Sequence, residues 1–362
     1  MAEEDNKKNN KDLLKDIKSK YIIEIIFDNL QIINYLNVIR YNKYFQNLLN
    51  KTIANYKYNS KIEIDIIPEE NKCGKFINFE EEDEPFFHIY FNNIQNETKR
   101  KIFYSSDKIE KIKVIIDYEV TSLAGLFSQC ECIKKIDFKK FYRINIVDMK
   151  EMFFGCYYLK ELIISKLKTN YVENMRSMFC NCPYLELINV SNFNTNNVED
   201  MSNMFCDCKS LKEINLDNFN TNNVTDMSLM FKDCKSLTKL NLSSFNTNNV
   251  INMYSMFFGC SKLEELNLSN FNTSNTVNLG KMFDSCESLK KLEISSFDIS
   301  KVKDMSSMFN ECSSLKEISL SNFKNRNILM GNIFDKCDAL IKINCSEELE
   351  EIIREKFKNI II

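Results

Sequence analysis

The sequence predicts an α/β repeat: a solenoid of about nine 26-residue coils, with a parallel sheet on one face and short helices on the other, plus an N-terminal α+β cap domain. Three observations predict it. Cysteine recurs at Cys130, Cys156, Cys182, Cys208, Cys234, Cys260, Cys286 and Cys312, always 26 residues apart, then at Cys337 after 25. Phenylalanine stands three residues before each, from Phe127 to Phe334. Within one period the apolar pattern changes from alternation to spacings of three and four. A fixed period of this size marks a chain that stacks coil on coil, so 362 residues need not divide into several globular domains.

Along the chain, residues 1–12 are polar and read as a disordered tail. Residues 13–58 are helical: Ile22, Ile25, Ile26, Leu30 and Ile33 lie three or four apart, and Leu36, Ile39, Phe45, Leu48 and Leu49 follow. Residues 59–104 form a small strand-rich segment. There KIEIDII alternates from Lys61, Pro68 to Gly74 is a turn, Phe86 to Phe91 is a second strand, and the acidic run Glu80 to Glu84 is a solvated loop. Residues 105–345 make the solenoid, with Lys113 to Tyr118 as its opening strand. Residues 346–362 form a C-terminal cap, with Leu349, Ile352, Ile353 and Phe357 on one helical face. A cap is expected because a bare final coil exposes apolar surface.

The coil from Leu211 to Ser236, LKEINLDNFNTNNVTDMSLMFKDCKS, shows the logic of one period. Ile214 and Leu216 alternate as one face of a short strand does, and Leu211 and Phe219 turn inward at its ends. FNTNNV is a polar connector whose asparagines suit the left-handed conformations of a tight turn. Thr225 or Asp226 can cap a short helix, which carries Val224, Met227, Met230, Phe231 and Cys234 inward at helical spacing. One coil alone buries too little to offset the entropy of ordering its backbone, which is why the copies come in a row.

Composition narrows the function. A net charge of −3 has no basic excess of the kind nucleic-acid binders carry. The opening MAEEDNKKNNKD has no secretory apolar run, no stretch is long enough to span a membrane, and the chain is expected to be cytoplasmic. Fourteen cysteines without a secretory signal read as buried small hydrophobes, with redox and metal roles as the alternatives. The Cys-x-Cys pairs at 130/132, 180/182 and 206/208 lack the Cys-x₂₋₄-Cys spacing of structural zinc. The single histidine, His88, lies in a strand pattern, and six glycines leave little room for phosphate-cradling loops. The expectation is no enzyme, no catalytic residue, no cofactor and no metal.

Candidate binding residues come from the outward strand positions. Five residues after each cysteine stand Lys135, Glu161, Leu187, Glu213, Lys239, Glu265, Lys291, Glu317 and Lys342, alternating in sign from Glu213 onward. In-register parallel strands make these direct neighbours, so the column is either a self-neutralising ladder or a ligand-facing surface. Beside it, Asn189, Asn215, Asn241 and Asn267 suit hydrogen-bond ladders or partner contacts. The candidate interaction face is therefore Glu213, Asn215, Lys239, Asn241, Glu265, Asn267, Lys291 and Glu317. Two residues before the repeat cysteines, a column with Lys232, Asp284 and Asn310 contains Cys180 and Cys206. These two are expected as accessible free thiols without a bridge, with Cys208, Cys234 and Cys260 inert.

The phrases FNTNNV, DMSNMF and LKEINL resemble BspA-type leucine-rich repeats, a family of bacterial surface proteins also found in protists. The resemblance covers about 105–345 and implies a leucine-rich-repeat fold with a binding or adhesive role. Leu126, Thr276, Leu279 and Ile333 depart from its columns. IIEIIFDNL followed by YNKYFQNLL is weakly similar to an F-box, with Ile26, Phe27 and Leu30 matching its core and Lys18 and Ser19 standing where Leu-Pro is usual. That resemblance implies a ubiquitin-ligase substrate adaptor bound to a Skp-like linker protein through Ile26, Phe27 and Leu30; the other reading is a helical cap. The main expectation is a non-enzymatic protein–protein interaction scaffold with a partner the sequence does not name; the alternatives are the adaptor and a surface adhesin.

Overall fold

The computed structural model describes residues 42–48, 57–92, 94–143, 145–323 and 328–356. The chain is mostly β with few helices, and most of it is a stack of repeated coils. A short helix α1 (Lys43–Leu48) opens the described part, with Asn42 Oδ1 accepting from the Tyr44 and Phe45 amides. The strands β1 (Ile62–Pro68), β2 (Gly74–Lys75), β3 (Phe87–Phe91), β4 (Ile102–Phe103) and β5 (Ile112–Ile116) follow. The helical turn that begins at Lys57 is also described, while 13–41 and 49–56 of the predicted helical stretch lie outside the described residues.

Strands β1, β3 and β5 join β6 (Ile133–Lys140) and β7 (Glu161–Ile163) in one sheet, ordered β3-β5-β1-β6-β7. Alternation explains the pairing: Ile64 lies opposite Val114 on one side and Phe138 on the other, and all three side chains are buried. The first pairs are antiparallel, but β6 and β7 run parallel, with Lys135 opposite Glu161. The cap therefore shares its sheet with the first coils. This corrects two expectations. Lys113 to Tyr118 does not open the repeats, because β5 sits inside the antiparallel cap sheet; β6 is the first coil strand. The acidic run is not an open loop but leads into a 3-10 turn over Glu81–Phe86.

At the junction, His88 bridges two carboxylates, Nδ1 to Glu97 at 3.2 Å and Nε2 to Asp117 at 3.1 Å. Lys61 adds an ion pair to Asp117 at 2.9 Å. Burial pulls the Asp117 carboxyl up, but hydrogen bonds from Lys61 and His88 outweigh it and leave the group below its usual range. The Arg143 guanidinium, fully buried, donates to the Asp117 carbonyl at 2.6 Å.

Beyond the junction the coils stack at the 26-residue offset. Formal strands occur at β8 (Glu265–Asn267), β9 (Lys291–Glu293), β10 (Glu317–Leu320) and β11 (Lys342–Cys345), with parallel pairs β8–β9 and β10–β11. Between β7 and β8, Leu187 and Glu213 form an isolated parallel bridge. The opposite side is more continuous: parallel bridges run Ser122, Asp148, Asn174, Asp200, Asp226, Asn252, Asn278, Asp304, Leu329 without a gap. A closing helix α2 (Glu347–Lys356) follows β11 and buries Ile353.

The short helices expected on that side are absent from the described residues. In their place is a run of turns with two left-handed positions per coil, five and one residues before each cysteine, such as Asn203 (φ 57°) and Asp207 (φ 57°). Amides alternate in use. Met201, Asn203, Phe205 and Asp207 donate to the next coil's Asp226, Ser228, Met230 and Lys232 carbonyls, while Met204, Cys206 and Cys208 donate three residues back. An α-helix would spend these amides within its own segment; the turns divide them between coil and neighbour. Asp226 does open its run as a cap does, accepting from the Ser228 amide at 2.7 Å. The asparagines of FNTNNV take no left-handed conformation; Asn220 Oδ1 instead accepts from the Asn222 amide at 3.0 Å, and its Nδ2 reaches Asn196 at 2.9 Å.

The inward positions were legible. Val224, Met227, Met230, Phe231 and Cys234 are fully buried. The rings from Phe127 to Phe334 stack coil to coil, Phe205 on Phe231 at 5.6 Å and Phe231 on Phe257 at 5.8 Å. Each repeat thiol from Cys156 onward donates to the phenylalanine carbonyl of the preceding coil, Cys234 to Phe205 at 3.2 Å and Cys260 to Phe231 at 3.2 Å. That carbonyl already accepts an amide from its own coil, Cys208 to Phe205 at 3.2 Å, so the thiol uses its second lone pair.

Candidate functional site: the strand-side groove

A groove of about 1010 Å³ lies along the strand side of the later coils. Its floor is a column of apolar side chains, Ile214, Leu240, Leu266, Leu292 and Ile318. They are the inward strand positions of successive coils, and Ile214, Leu240 and Leu292 remain half-exposed at the floor. One wall is the alternating column Glu213, Lys239, Glu265, Lys291 and Glu317, and the other carries Asn241, Asn267 and Glu293. The structure thus brings the proposed interaction residues together on one surface, except Asn215, which is exposed on the same strand side but does not line the groove.

Where formal strands pair, the charged column is in register, with Glu265 opposite Lys291 and Glu317 opposite Lys342. Yet within the groove its charges are not spent on one another. The ion pairs between neighbouring coils fall one residue earlier, Lys212 to Glu186 at 2.5 Å and Lys290 to Glu264 at 2.9 Å. At the other end of the column Lys135 does pair with Glu161, at 2.7 Å, and draws the Glu161 carboxyl below its usual range. Among the described residues Glu213, Lys239, Glu265, Lys291 and Glu317 form no ion pair, and their heads face the groove.

The amide column is half committed. Asn215 Oδ1 accepts from the Asp217 amide at 2.9 Å, Asn241 Oδ1 from Ser243 at 3.1 Å and Asn267 Oδ1 from Ser269 at 2.9 Å. These bonds close the turn after each strand rather than linking asparagines. Asn241 Nδ2 reaches Asp217 of the preceding coil at 2.9 Å. Sequence reasoning missed the floor and Lys290 as parts of the site. The floor residues read as core because alternation points them inward; the partial exposure comes from the spacing of the coils.

Where the sign alternation fails, the surface turns apolar. Leu187 is 60% exposed, and Ile163, Tyr157 and Tyr184 are also exposed on these coils. Tyr157 meets Tyr184 edge-on at 5.4 Å, and Tyr158 stacks on Tyr184 at 6.0 Å.

The proposed linker-binding residues Ile26, Phe27 and Leu30 lie outside the described residues, and no comparison supports the F-box resemblance. Among the described residues no group of three or more His, Cys, Asp or Glu is placed to hold a metal ion, and no helix is long and apolar enough to cross a membrane. Cys180 and Cys206, expected as accessible, are 8% and 5% exposed. The turns tuck this column against the neighbouring coil instead of projecting it from a helix.

Comparison with curated proteins finds no match. Among solved structures, a leucine-rich repeat protein from Bacteroides ovatus aligns at 18% identity and a TM-score of 0.34, over 72% of this chain and 70% of that one. The family model described as "Mycoplasma protein of unknown function, DUF285" matches residues 121–240 and 234–345. It takes in every repeat from Leu123 to Cys345 and leaves out the antiparallel strands of the cap. With more than half of its residues under that model, this chain belongs to the DUF285 family.

Proposed function

We propose that the chain is a non-enzymatic binding scaffold, a leucine-rich-repeat-like stack that takes a protein partner in the strand-side groove. The observation that carries this reading is the set of unpaired charges over an apolar floor. Glu213, Lys239, Glu265, Lys291 and Glu317 line the groove but form no ion pairs with one another, above Ile214, Leu240 and Leu292. A partner offering the opposite alternation gains charge complementarity, which sets register and orientation, and it gains affinity by covering the floor. Leu187, bridged to Glu213, extends the same surface with an exposed apolar group.

The test is site-specific crosslinking. A photoreactive residue at Asn241 or Asn267 should capture a discrete protein partner, and one at Thr225, on the turn side, should not. Changing Lys239 and Lys291, which line the groove without an ion pair, together to Ala should abolish capture while moving the melting temperature little. Capture that is equal from both sides, or that survives the double substitution, would overturn the groove as the binding surface.

A further inference from the structure

Most cysteine thiols of the stack are occupied. Cys182 donates to Phe153 at 3.1 Å and Cys208 to Phe179 at 3.1 Å, and the same bond recurs through the later coils. Cys180 and Cys206 stand outside this column. They occupy equivalent positions in the third and fourth coils, between Phe154 of the second coil and Lys232 of the fifth. Neither thiol donates to a carbonyl; the Cys206 sulfur lies 3.5 Å from Asp207 Oδ2, and Cys180 is its neighbour across the coil boundary.

The backbone around them sets the separation. Phe179 donates its amide to the Met204 carbonyl at 3.0 Å, and Asn181 to the Cys206 carbonyl at 2.8 Å. These bonds flank the pair and hold the two coils at strand spacing, about 4.7–4.9 Å. A disulfide accepts Cα separations of about 4.4–6.8 Å. The expectation of no bridge assumed coils spread by helices; without helices that spacing argument disappears.

We propose that Cys180 and Cys206 are a dithiol modification site, which a hydroperoxide converts to a disulfide that staples the third coil to the fourth. Cys180, the more exposed of the two, is the sulfur oxidised first. Its thiolate displaces hydroxide from hydrogen peroxide and becomes a sulfenic acid, and the released hydroxide takes up the proton the thiol lost. The Cys206 sulfur then attacks the sulfenic sulfur, and the departing hydroxide leaves with the Cys206 proton as water. In total two thiols and one hydrogen peroxide give one disulfide and two waters, with sulfur oxidised and peroxide oxygen reduced. The neighbouring Cys180 and burial hold the Cys206 proton on, so the step is slow beside that of an activated thiol. The core thiols, shielded and bonded to carbonyls, stay reduced.

The experiment uses the full chain, reduced, freed of reductant, exposed to hydrogen peroxide and then alkylated. Digestion at glutamate, which cuts after Glu186 and Glu199, separates the segments holding Cys180 and Cys206. The expected product is one cross-linked pair of segments, two hydrogens lighter than the sum, with fragment masses assigning the bond to Cys180 and Cys206. Its melting temperature should rise above that of the reduced protein and return on adding dithiothreitol. Cys180→Ser and Cys206→Ser should each abolish both the cross-link and the shift. A bridge through Cys182 or Cys208, or complete alkylation of both thiols after peroxide, would overturn the assignment on the wild-type chain alone.

Discussion

Thr221 shows how much of the stack rests on single side chains. Its hydroxyl donates to the Asn246 carbonyl and accepts from the Asn246 amide, both at 2.8 Å, and the residue is fully buried. Thr169, Thr195, Thr247 and Thr273 repeat the arrangement one coil apart. Thr221→Val keeps the shape but leaves both Asn246 groups without a partner. A loss of about 1–3 kcal/mol is expected. Thr225→Val, on the exposed rim, should stay within about 0.5 kcal/mol. Urea titration of the two variants checks this, and equal losses would remove the ladder from the account. The threonine is visible in the sequence as part of FNTNNV, but its partner lies 25 residues away, and a polar connector is all that local reasoning can read there.

At the scale of elements, the alternation of charge along the strand column and the run of turns on the opposite side behave differently. The column was legible because its members recur at a fixed offset; their lack of mutual ion pairs was not, because rotamers respond to the whole surface. Lys239→Glu places a third like charge between Glu213 and Glu265. With the heads unpaired, the expected cost is on the order of 0.5 kcal/mol, reduced by added salt. Changing Glu213 and Glu265 to Lys as well should restore it. Chemical denaturation at low and high salt measures both, and a triple variant no better than the single would sever the column from stability. The turns themselves escaped sequence reasoning because Val224, Met227, Met230 and Cys234 have the spacing of a helical face. Non-glycine residues held at positive φ, such as Leu229, are disfavoured in isolation. They persist here because the conformation aims alternate amides at the next coil.

For the whole molecule, the thiol column ties stability to pH. Burial pushes the Cys182 and Cys260 thiols up to about 12, and it raises Cys156, Cys208, Cys234, Cys286 and Cys312 well above their ordinary value. The unfolded chain, with thiols ionising near 9.0, then binds fewer protons than the folded one above that pH. Stability is therefore fully present below about pH 9 and falls as pH rises. Each such thiol costs up to about 1.4 kcal/mol per pH unit. A steep fall in urea midpoint between about pH 9 and pH 11 is expected, and Cys234→Ala should make it shallower. A midpoint unchanged across that range would mean that the thiols are not shielded in the folded state. Because the coils share one column, the transition should involve many of them together.

The sequence by itself determined the period, the residues that face inward and the existence of an alternating outer column. These follow from spacing, and stacking copies of one coil puts equivalent residues side by side whatever the backbone does between them. Only the tertiary structure decided that the segment from Val224 to Cys234 is a run of turns, that β5 belongs to the cap, and that Cys180 and Cys206 are buried. Spacings of three and four fit both a helix and successive turns. The choice depends on whether an amide finds its carbonyl within its own segment or in the neighbouring coil, and that carbonyl exists only once the neighbour is in place.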